Sequence, residues 1–192
     1  MNISSKSEIK RKALIAATIE LVNNHGFHAT PMSKIAKIAG VSAGTIYLYF
    51  ENKQDLVNQV YLEVKAAFTS FAFRNYDESM SVEKGFEIIW KNIAEFKLQE
   101  VEEAYFLSQC DNTPIVDEPG RQEGLKHLQP LLDLWEKGQE QGIIKQVSPY
   151  SLYAFSIYPV AFLMNMQQRG VYQLTPEHIE DAYKMAWHSI KN

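Results

Sequence analysis

The sequence contains a single cysteine, Cys110, among its 192 residues. One thiol excludes a disulfide within the chain and any metal site built from several cysteines, which fits a reducing compartment. Long apolar runs are also missing. The longest, AFSIYPVAFLM at 154–164, is shorter than the roughly 20 residues that cross a bilayer, and it contains Pro159. The sequence therefore predicts a cytoplasmic protein with no membrane-spanning segment.

Side chains arranged for catalysis are equally scarce. His25 and His28 are three residues apart, but Gly26 between them is expected to end a helix, which makes the two imidazoles poor joint ligands. Glu102 and Glu103 are adjacent, so they point to different faces of a helix. No phosphate-binding glycine loop occurs in the sequence. We therefore predict no enzymatic activity, no catalytic residue, no metal site and no cofactor.

Positive charge is concentrated at one end of an otherwise acidic chain. Residues 1–60 contain seven Lys and Arg against four Asp and Glu, whereas the remainder contains twelve against nineteen. A basic end on an acidic body is expected when only that end meets a polyanion such as DNA. Chance clustering of surface charge is the alternative explanation.

Helical periodicity runs through the whole chain, and the sequence predicts an all-α fold. A first helix is expected from about Ser7 to His25, with Gly26 as its stop. A hydroxyl residue followed by proline, which is typical of a helix start, occurs three times, at Thr30, Ser148 and Thr175. Apolar residues recur at helical spacing in three later stretches, beginning at Phe86, Leu125 and Ile179. The segment 111–120, with two prolines, is expected to be a long loop.

Residues 31–49 fit two short helices joined by a tight turn, which is the helix-turn-helix arrangement. Gly40 is expected to end the first helix, and Ser42 to cap a second helix from about Ala43 to Tyr49. Three small residues are expected to let the two helices approach closely: Ala36, Ala39 and Gly44. Val41 and Ile46 then serve as apolar contacts between the helices.

The second helix leaves one face for a partner. Thr45, Tyr47 and Tyr49 present hydroxyls, Ala43 and Gly44 allow close approach, and Ile46 and Phe50 are expected to point inward. Free N–H groups at the start of that helix would suit a phosphate. Asn52 is then expected to cap a long helix, with Lys53 in its first turn.

The string from Gly26 to Leu56, which includes AGVSAGTIYLYFENKQDL, resembles the DNA-binding domain of the TetR family of bacterial transcriptional regulators. The resemblance covers about residues 5–60. It implies DNA contacts at Thr30, Ser42, Ala43, Gly44, Thr45, Tyr47 and Tyr49, and a phosphate contact at Lys53. Two departures are Pro31, where a second threonine is common, and Ala43, which is often polar in relatives. Base recognition is therefore expected to depend mainly on Thr45 and Tyr47.

The resemblance also implies a domain plan and a homodimer. Residues 1–52 would form the helix-turn-helix domain, with the start of the linking helix at 53–60, and residues 53–192 a helical ligand-binding and dimerisation domain. The last two helices would pair with those of a second copy. Residues 152–166 are apolar nearly all round, which supports a dimer, although a central helix in a monomer is the alternative. Pro159 should bend this helix and leave the Phe155 carbonyl without its usual partner.

Relatives hold a small molecule among the middle helices, and the resemblance implies the same here. The candidate lining residues are Trp90, Ile93, Tyr105, Phe106, Gln109, Cys110, Trp135 and Phe162. Plain core packing is the alternative for each of them. Because no charged cluster occurs among them, we expect an apolar or aromatic ligand. The predicted function is a dimeric repressor released from a palindromic operator by that ligand; a TetR-like activator and a protein-interaction module remain as alternatives.

Overall fold

The computed structural model describes residues 3–192, with side chains described from residue 6 onward. Within that range the chain is helical and contains no β-strand, so the predicted all-α class is confirmed. The helices are α1 Ile3–His25, α2 Met32–Ile38, a 3-10 helix Ile46–Leu48, α3 Lys53–Ala72, α4 Val82–Gln99, α5 Val101–Asn112, α6 Glu118–Lys126, α7 Gln129–Glu140, α8 Pro149–Ser156, α9 Tyr158–Gln168 and α10 Pro176–Ile190.

The chain divides into two compact units. The N-terminal unit contains the residues up to Ala66 together with Glu102–Gly124, and the C-terminal unit contains Ala67–Val101 and Leu125–Asn192. The sequence boundary between residues 52 and 53 was drawn where the DNA-binding motif ends. That functional boundary stays a prediction, because compactness alone does not test it.

The core of the N-terminal unit joins α1, α2, the 3-10 helix and α3. Its fully buried apolar side chains include Leu14, Val22, Ile35, Ile46 and Leu56. Gly26 and Gly40 have φ of +76° and +69°, in the left-handed region that glycine adopts most readily. The two predicted helix stops are therefore confirmed.

The core of the C-terminal unit contains a cluster of aromatic rings between α4 and α10. The centroid of Phe86 lies 5.6 Å from that of Trp187, and the centroid of Trp90 lies 5.8 Å from that of Tyr183. Ring pairs at this spacing add to the free energy of apolar burial. The stretches beginning at Phe86 and Ile179, predicted as buried helical stripes, supply these rings.

Two of the three predicted helix starts are confirmed. The Ser148 hydroxyl accepts a hydrogen bond from the Ser151 N–H at 3.3 Å. The Thr175 hydroxyl accepts one from the His178 N–H at 3.3 Å, and His178 Nδ1 accepts one from the Thr175 N–H at 3.2 Å. At the third site the prediction is wrong, because Pro31 occupies the cap position and makes no side-chain cap.

The expected long loop at 111–120 is shorter than predicted. Helix α5 continues to Asn112 and α6 already begins at Glu118, which leaves residues 113–117 as the loop. The Asp117 carboxylate accepts a hydrogen bond from the Gly120 N–H at 2.9 Å. Pro119 is tolerated there because the first turn of a helix needs no N–H at that point.

The bend predicted at Pro159 is a full break. Helix α8 ends at Ser156 and α9 begins at Tyr158, with Ile157 between them. The Val160 N–H bonds to the Ile157 carbonyl at 3.2 Å, three residues back instead of four. The Phe155 carbonyl, predicted to lose its helical partner, accepts a hydrogen bond from the Ser189 hydroxyl of α10 at 3.2 Å.

Candidate nucleic-acid interface

Residues 43–49 were predicted as a regular helix, but they form successive turns that end in the 3-10 helix. The N–H groups of Thr45, Leu48 and Tyr49 each donate to the carbonyl three residues earlier, at 2.9, 3.1 and 3.1 Å. The Thr45 N–H also donates to the Ser42 hydroxyl at 3.2 Å. This N–H is therefore already bonded, and so short a helix supplies little of the dipole expected to attract a phosphate.

The aromatic residues of this segment are divided between core and surface. Ile46 and Phe50 are 0% and 1% exposed, as predicted, and they hold the segment on the core. Tyr47 is 56% exposed. The hydroxyls of Ser42 and Thr45 lie 2.7 Å apart, so one donates to the other. A hydroxyl pair and a tyrosine ring thus lie together on the outer side of the turn.

Ala43 and Gly44 are exposed at the start of the same segment. A Cβ added at Gly44 would meet no other atom within 4 Å. The expectation that Gly44 lets the two helices pack closely is therefore wrong, whereas Ala36, for which the same role was expected, is buried at 1% exposure. The open space above Gly44 instead leaves room for a partner outside the chain.

Tyr49 lies at the edge of this surface and is half-buried. Its hydroxyl lies 3.2 Å from the Ser7 hydroxyl of α1, which orients the ring. A phenol both donates and accepts, so the Tyr49 hydroxyl retains capacity for one further hydrogen bond.

Lys53 lies in the first turn of α3, as predicted. Asn52 caps this helix, because its side-chain oxygen accepts a hydrogen bond from the Asp55 N–H at 3.0 Å. The Lys53 ammonium donates to the His28 carbonyl at 3.4 Å and lies 4.2 Å from the centre of the Phe27 ring. Partial burial lowers the pKa of Lys53 below its ordinary value. These contacts hold the ammonium beside the loop that follows α1.

Thr30 does not reach the surface. Its side chain is 0% exposed, and its hydroxyl donates to the carbonyls of Gly26 at 2.8 Å and Leu21 at 3.3 Å. Those carbonyls belong to the end of α1, where intrahelical partners run out. The predicted side-chain contact between Thr30 and DNA is therefore corrected to a structural role.

The eight candidate ligand residues are divided equally between the two units. Tyr105, Phe106, Gln109 and Cys110 belong to the N-terminal unit, and the other four to the C-terminal unit. Trp90 and Phe162 line a cavity of about 460 Å³ in the C-terminal unit. Ile93 and Trp135 are buried in the same unit without lining that cavity.

The walls of this cavity come mainly from α9 and α10, with further residues from α8, from the segment between α9 and α10, and Trp90 of α4. They are largely apolar, with Phe155, Val160 and Leu163 among them, and His178 and Asp181 add polar atoms. An apolar cavity with a few polar groups is the usual form of a small-molecule site. Sequence periodicity did not find it, because the break at Pro159 sets the relative position of α8 and α9.

Between residues 3 and 192, no three His, Cys, Asp or Glu side chains are grouped so as to hold a metal ion. Over the same range, every helix is too short or too polar to cross a membrane.

Comparison with protein families gives two matches. Residues 14–60 match the family profile described as "Bacterial regulatory proteins, tetR family". Residues 82–191 match the profile described as "Tetracyclin repressor-like, C-terminal domain". Together the two profiles cover more than half of the chain, including both the turn with the exposed tyrosine and the helices around the cavity.

Individual relatives agree with these profiles. An HTH-type transcriptional regulator of Haemophilus influenzae is 27% identical over 187 residues, which are 93% of this chain and 94% of that one. A fatty acid metabolism regulator protein of Bacillus subtilis is 44% identical over 59 residues, 31% of this chain and 30% of that one. The crystal structure of a TetR family regulator from Marinobacter aquaeolei has a TM-score of 0.92 and 27% identity, covering 99% of this chain and 100% of that one. The chain therefore belongs to the TetR family of transcriptional regulators, which are DNA-binding proteins and not enzymes, and it has the family's helix-turn-helix domain.

Proposed function

We propose that the protein is a cytoplasmic homodimeric repressor that binds a palindromic operator and leaves it when a small apolar or aromatic molecule binds. The observation that carries this proposal is the surface formed by Ser42, Ala43, Gly44, Thr45 and Tyr47, which we call the reading face. It is exposed or half-exposed, and Ile46 and Phe50 fix it from beneath.

The chemistry of the reading face suits a DNA groove. Of the two hydroxyl hydrogens of Ser42 and Thr45, one is shared between the pair, and the other is available to a phosphate or base. The Tyr47 ring offers an apolar surface to a sugar or thymine methyl, and its hydroxyl can donate to a phosphate. Lys53 and Tyr49 flank this face, and we propose that they contact the phosphate backbone.

Exposed apolar residues on the last three helices support the homodimer. Phe155, Phe162 and Met185 are 69%, 61% and 74% exposed, and Tyr158 is 49% exposed. Clustered apolar side chains of this size mark interaction surfaces in soluble proteins. A second copy related by a twofold axis would cover them and present two reading faces, which is the symmetry of a palindromic operator.

The cavity in the C-terminal unit is where we place the effector, in contact with Trp90 and Phe162. Because its walls include Phe155, Phe162 and Met185 of the proposed dimer surface, an occupant would act on the helices that we propose join the two copies. Such a ligand regulates only through different affinities for two conformations, a coupling worth about 1–3 kcal/mol in most allosteric proteins.

Light scattering tests the dimer. The full chain should have twice its monomer mass of 22.0 kDa at micromolar concentration. Phe162→Glu should give the monomer, because a charge on a buried apolar interface is costly. Leu125→Glu, which changes a leucine of α6 that is already 40% exposed, should remain dimeric. A monomeric wild-type protein would refute the dimer.

A ligand screen tests the release. Small aromatic and aliphatic compounds are ranked by the increase in melting temperature that each gives to the protein, and the best are added to the protein–DNA complex. We expect compounds that both stabilise the protein and release DNA. A screen in which stabilising compounds leave DNA bound would refute ligand-controlled release.

A further inference from the structure

We propose that Leu48 is a specificity residue that recognises the C5 methyl group of thymine in the operator. This inference rests on the proposed DNA binding and adds a base contact that the hydroxyls of the reading face do not supply. Leu48 lies between Tyr47 and Tyr49, and its side chain is 82% exposed.

The backbone places Leu48 in line with two residues of the reading face. The Thr45 N–H donates to the Ser42 carbonyl at 2.9 Å, and the Leu48 N–H donates to the Thr45 carbonyl at 3.1 Å. Side chains three residues apart lie above one another when hydrogen bonds follow this pattern. Thr45 and Leu48 therefore lie on one side of the segment, and the Ser42 hydroxyl, 2.7 Å from that of Thr45, extends this row at the end away from Leu48.

The fold itself does not require a leucine at this position. Ile46 and Phe50, which are 0% and 1% exposed, already fill the core beneath the segment. Because Leu48 projects outward, its apolar surface stays in water until a partner covers it. The partner we propose is DNA, because Leu48 continues the row of Ser42 and Thr45 and because residues 1–60 carry an excess of positive charge.

Thymine is the base that matches this side chain. In the major groove thymine presents a methyl group, whereas the other three bases present hydrogen-bond donors and acceptors but no methyl group. A leucine side chain makes no hydrogen bonds and is attracted by the removal of apolar surface from water. The row is thus suited to polar contacts at Ser42 and Thr45 followed by a thymine methyl at Leu48.

Replacement of thymine by deoxyuridine tests this contact directly, because the exchange removes the methyl group and leaves base pairing intact. A duplex selected by the full chain from a random pool is prepared with single thymines replaced in both half-sites. At the thymine that Leu48 contacts, loss of one methyl group should weaken binding by the wild-type protein about fourfold. Because the exchange is made in both half-sites, the dimer should lose about fifteenfold in affinity. Leu48→Ala should bind the unmodified duplex more weakly and show no further loss at that position.

Two variants complete the design. Leu48→Met keeps an apolar side chain and should retain the sensitivity to deoxyuridine. Leu125→Ala, an exposed leucine on α6, should behave as the wild type. If Leu48→Ala and the wild type lose equal affinity at every position, or if no thymine matters to the wild type, the inference is wrong although DNA binding stands. If selection yields no preferred duplex, the proposed function fails together with it.

Discussion

The indole N–H of Trp90 donates a buried hydrogen bond of 2.8 Å to the carbonyl of Ser156. In an uninterrupted helix that carbonyl would accept from the Val160 N–H, but Val160 bonds to Ile157 next to Pro159. Trp90 therefore satisfies a backbone group that the helix break exposes. The same bond joins α4 to the C-terminal end of α8, beside the cavity proposed for the effector.

Trp90→Phe should lower the free energy of unfolding, because it leaves the Ser156 carbonyl buried without a donor. Trp135 provides a matched control, since its indole N–H is buried and has no hydrogen-bond partner. The two substitutions remove similar volume. In urea unfolding, Trp90→Phe should cost about 1–3 kcal/mol more than Trp135→Phe. Equal losses would show that the Trp90 bond contributes nothing beyond packing.

Gly44→Ala should separate DNA affinity from stability. A Cβ at this position meets nothing within 4 Å, so the melting temperature should stay unchanged or rise slightly. On DNA the added methyl would intrude into a close contact, and we expect binding to weaken by about 1–3 kcal/mol. Fluorescence anisotropy with the selected duplex measures this loss. Unchanged affinity would show that the backbone at Gly44 does not approach DNA.

Lys53→Ala should weaken binding to all DNA sequences alike, because a phosphate contact carries no base information. The plot of log affinity against log salt concentration should become shallower by about two for a dimer with two such contacts. Lys84→Ala, which removes a basic residue from the C-terminal unit, serves as the control for total charge. An unchanged slope would show that Lys53 does not contact a phosphate and that its contacts are those with His28 and Phe27 within the chain.

Cys110 should be unreactive in the folded protein. Burial is the main cause that raises the pKa of its thiol to about 12, so the reactive thiolate is scarce at neutral pH. Titration with 5,5′-dithiobis(2-nitrobenzoate) at pH 8 should release colour only after denaturant is added. Rapid reaction of the native chain would contradict this burial.

The same shift makes stability depend on pH in the alkaline range. The folded thiol holds its proton more tightly than the unfolded thiol, whose pKa is about 8.5. The thiol's contribution to the free energy of unfolding is therefore complete below about pH 8.5 and is lost as pH rises toward 12. Comparison of the wild type with Cys110→Ala across this window isolates the effect of the thiol.

The sequence predicted those parts of the fold that depend on local chemistry. Gly26 and Gly40 stop helices because few other residues adopt positive φ, and Ser148 and Thr175 cap helices because their hydroxyls reach backbone N–H groups close by. The inward positions of Ile46 and Phe50 follow from apolar spacing in the same way.

Features that depend on distant parts of the chain were missed. Thr30 precedes a proline, as a helix cap often does, but it is buried against the end of α1 and its hydroxyl donates to the Gly26 carbonyl instead. Gly44 was assigned to helix packing, although the turn holds it in the open. Leu48 is the exception, because local spacing could have found it: with Ile46 and Phe50 inward, the residue midway between them points outward, and its side chain is 82% exposed. Of the eight ligand candidates, Trp90 and Phe162 line the cavity in the C-terminal unit; spacing along a single helix does not show which helices meet around a cavity.

We propose above that this chain recognises a particular DNA sequence as a symmetric dimer. Selection of bound duplexes from a random pool by the full chain tests it most directly, with the mass of the selected complex measured afterwards. We expect one enriched near-palindrome, two chains bound to it, and weaker binding by Tyr47→Phe with an unchanged melting temperature. Equal binding to all duplexes, or one chain on an asymmetric site, would contradict it.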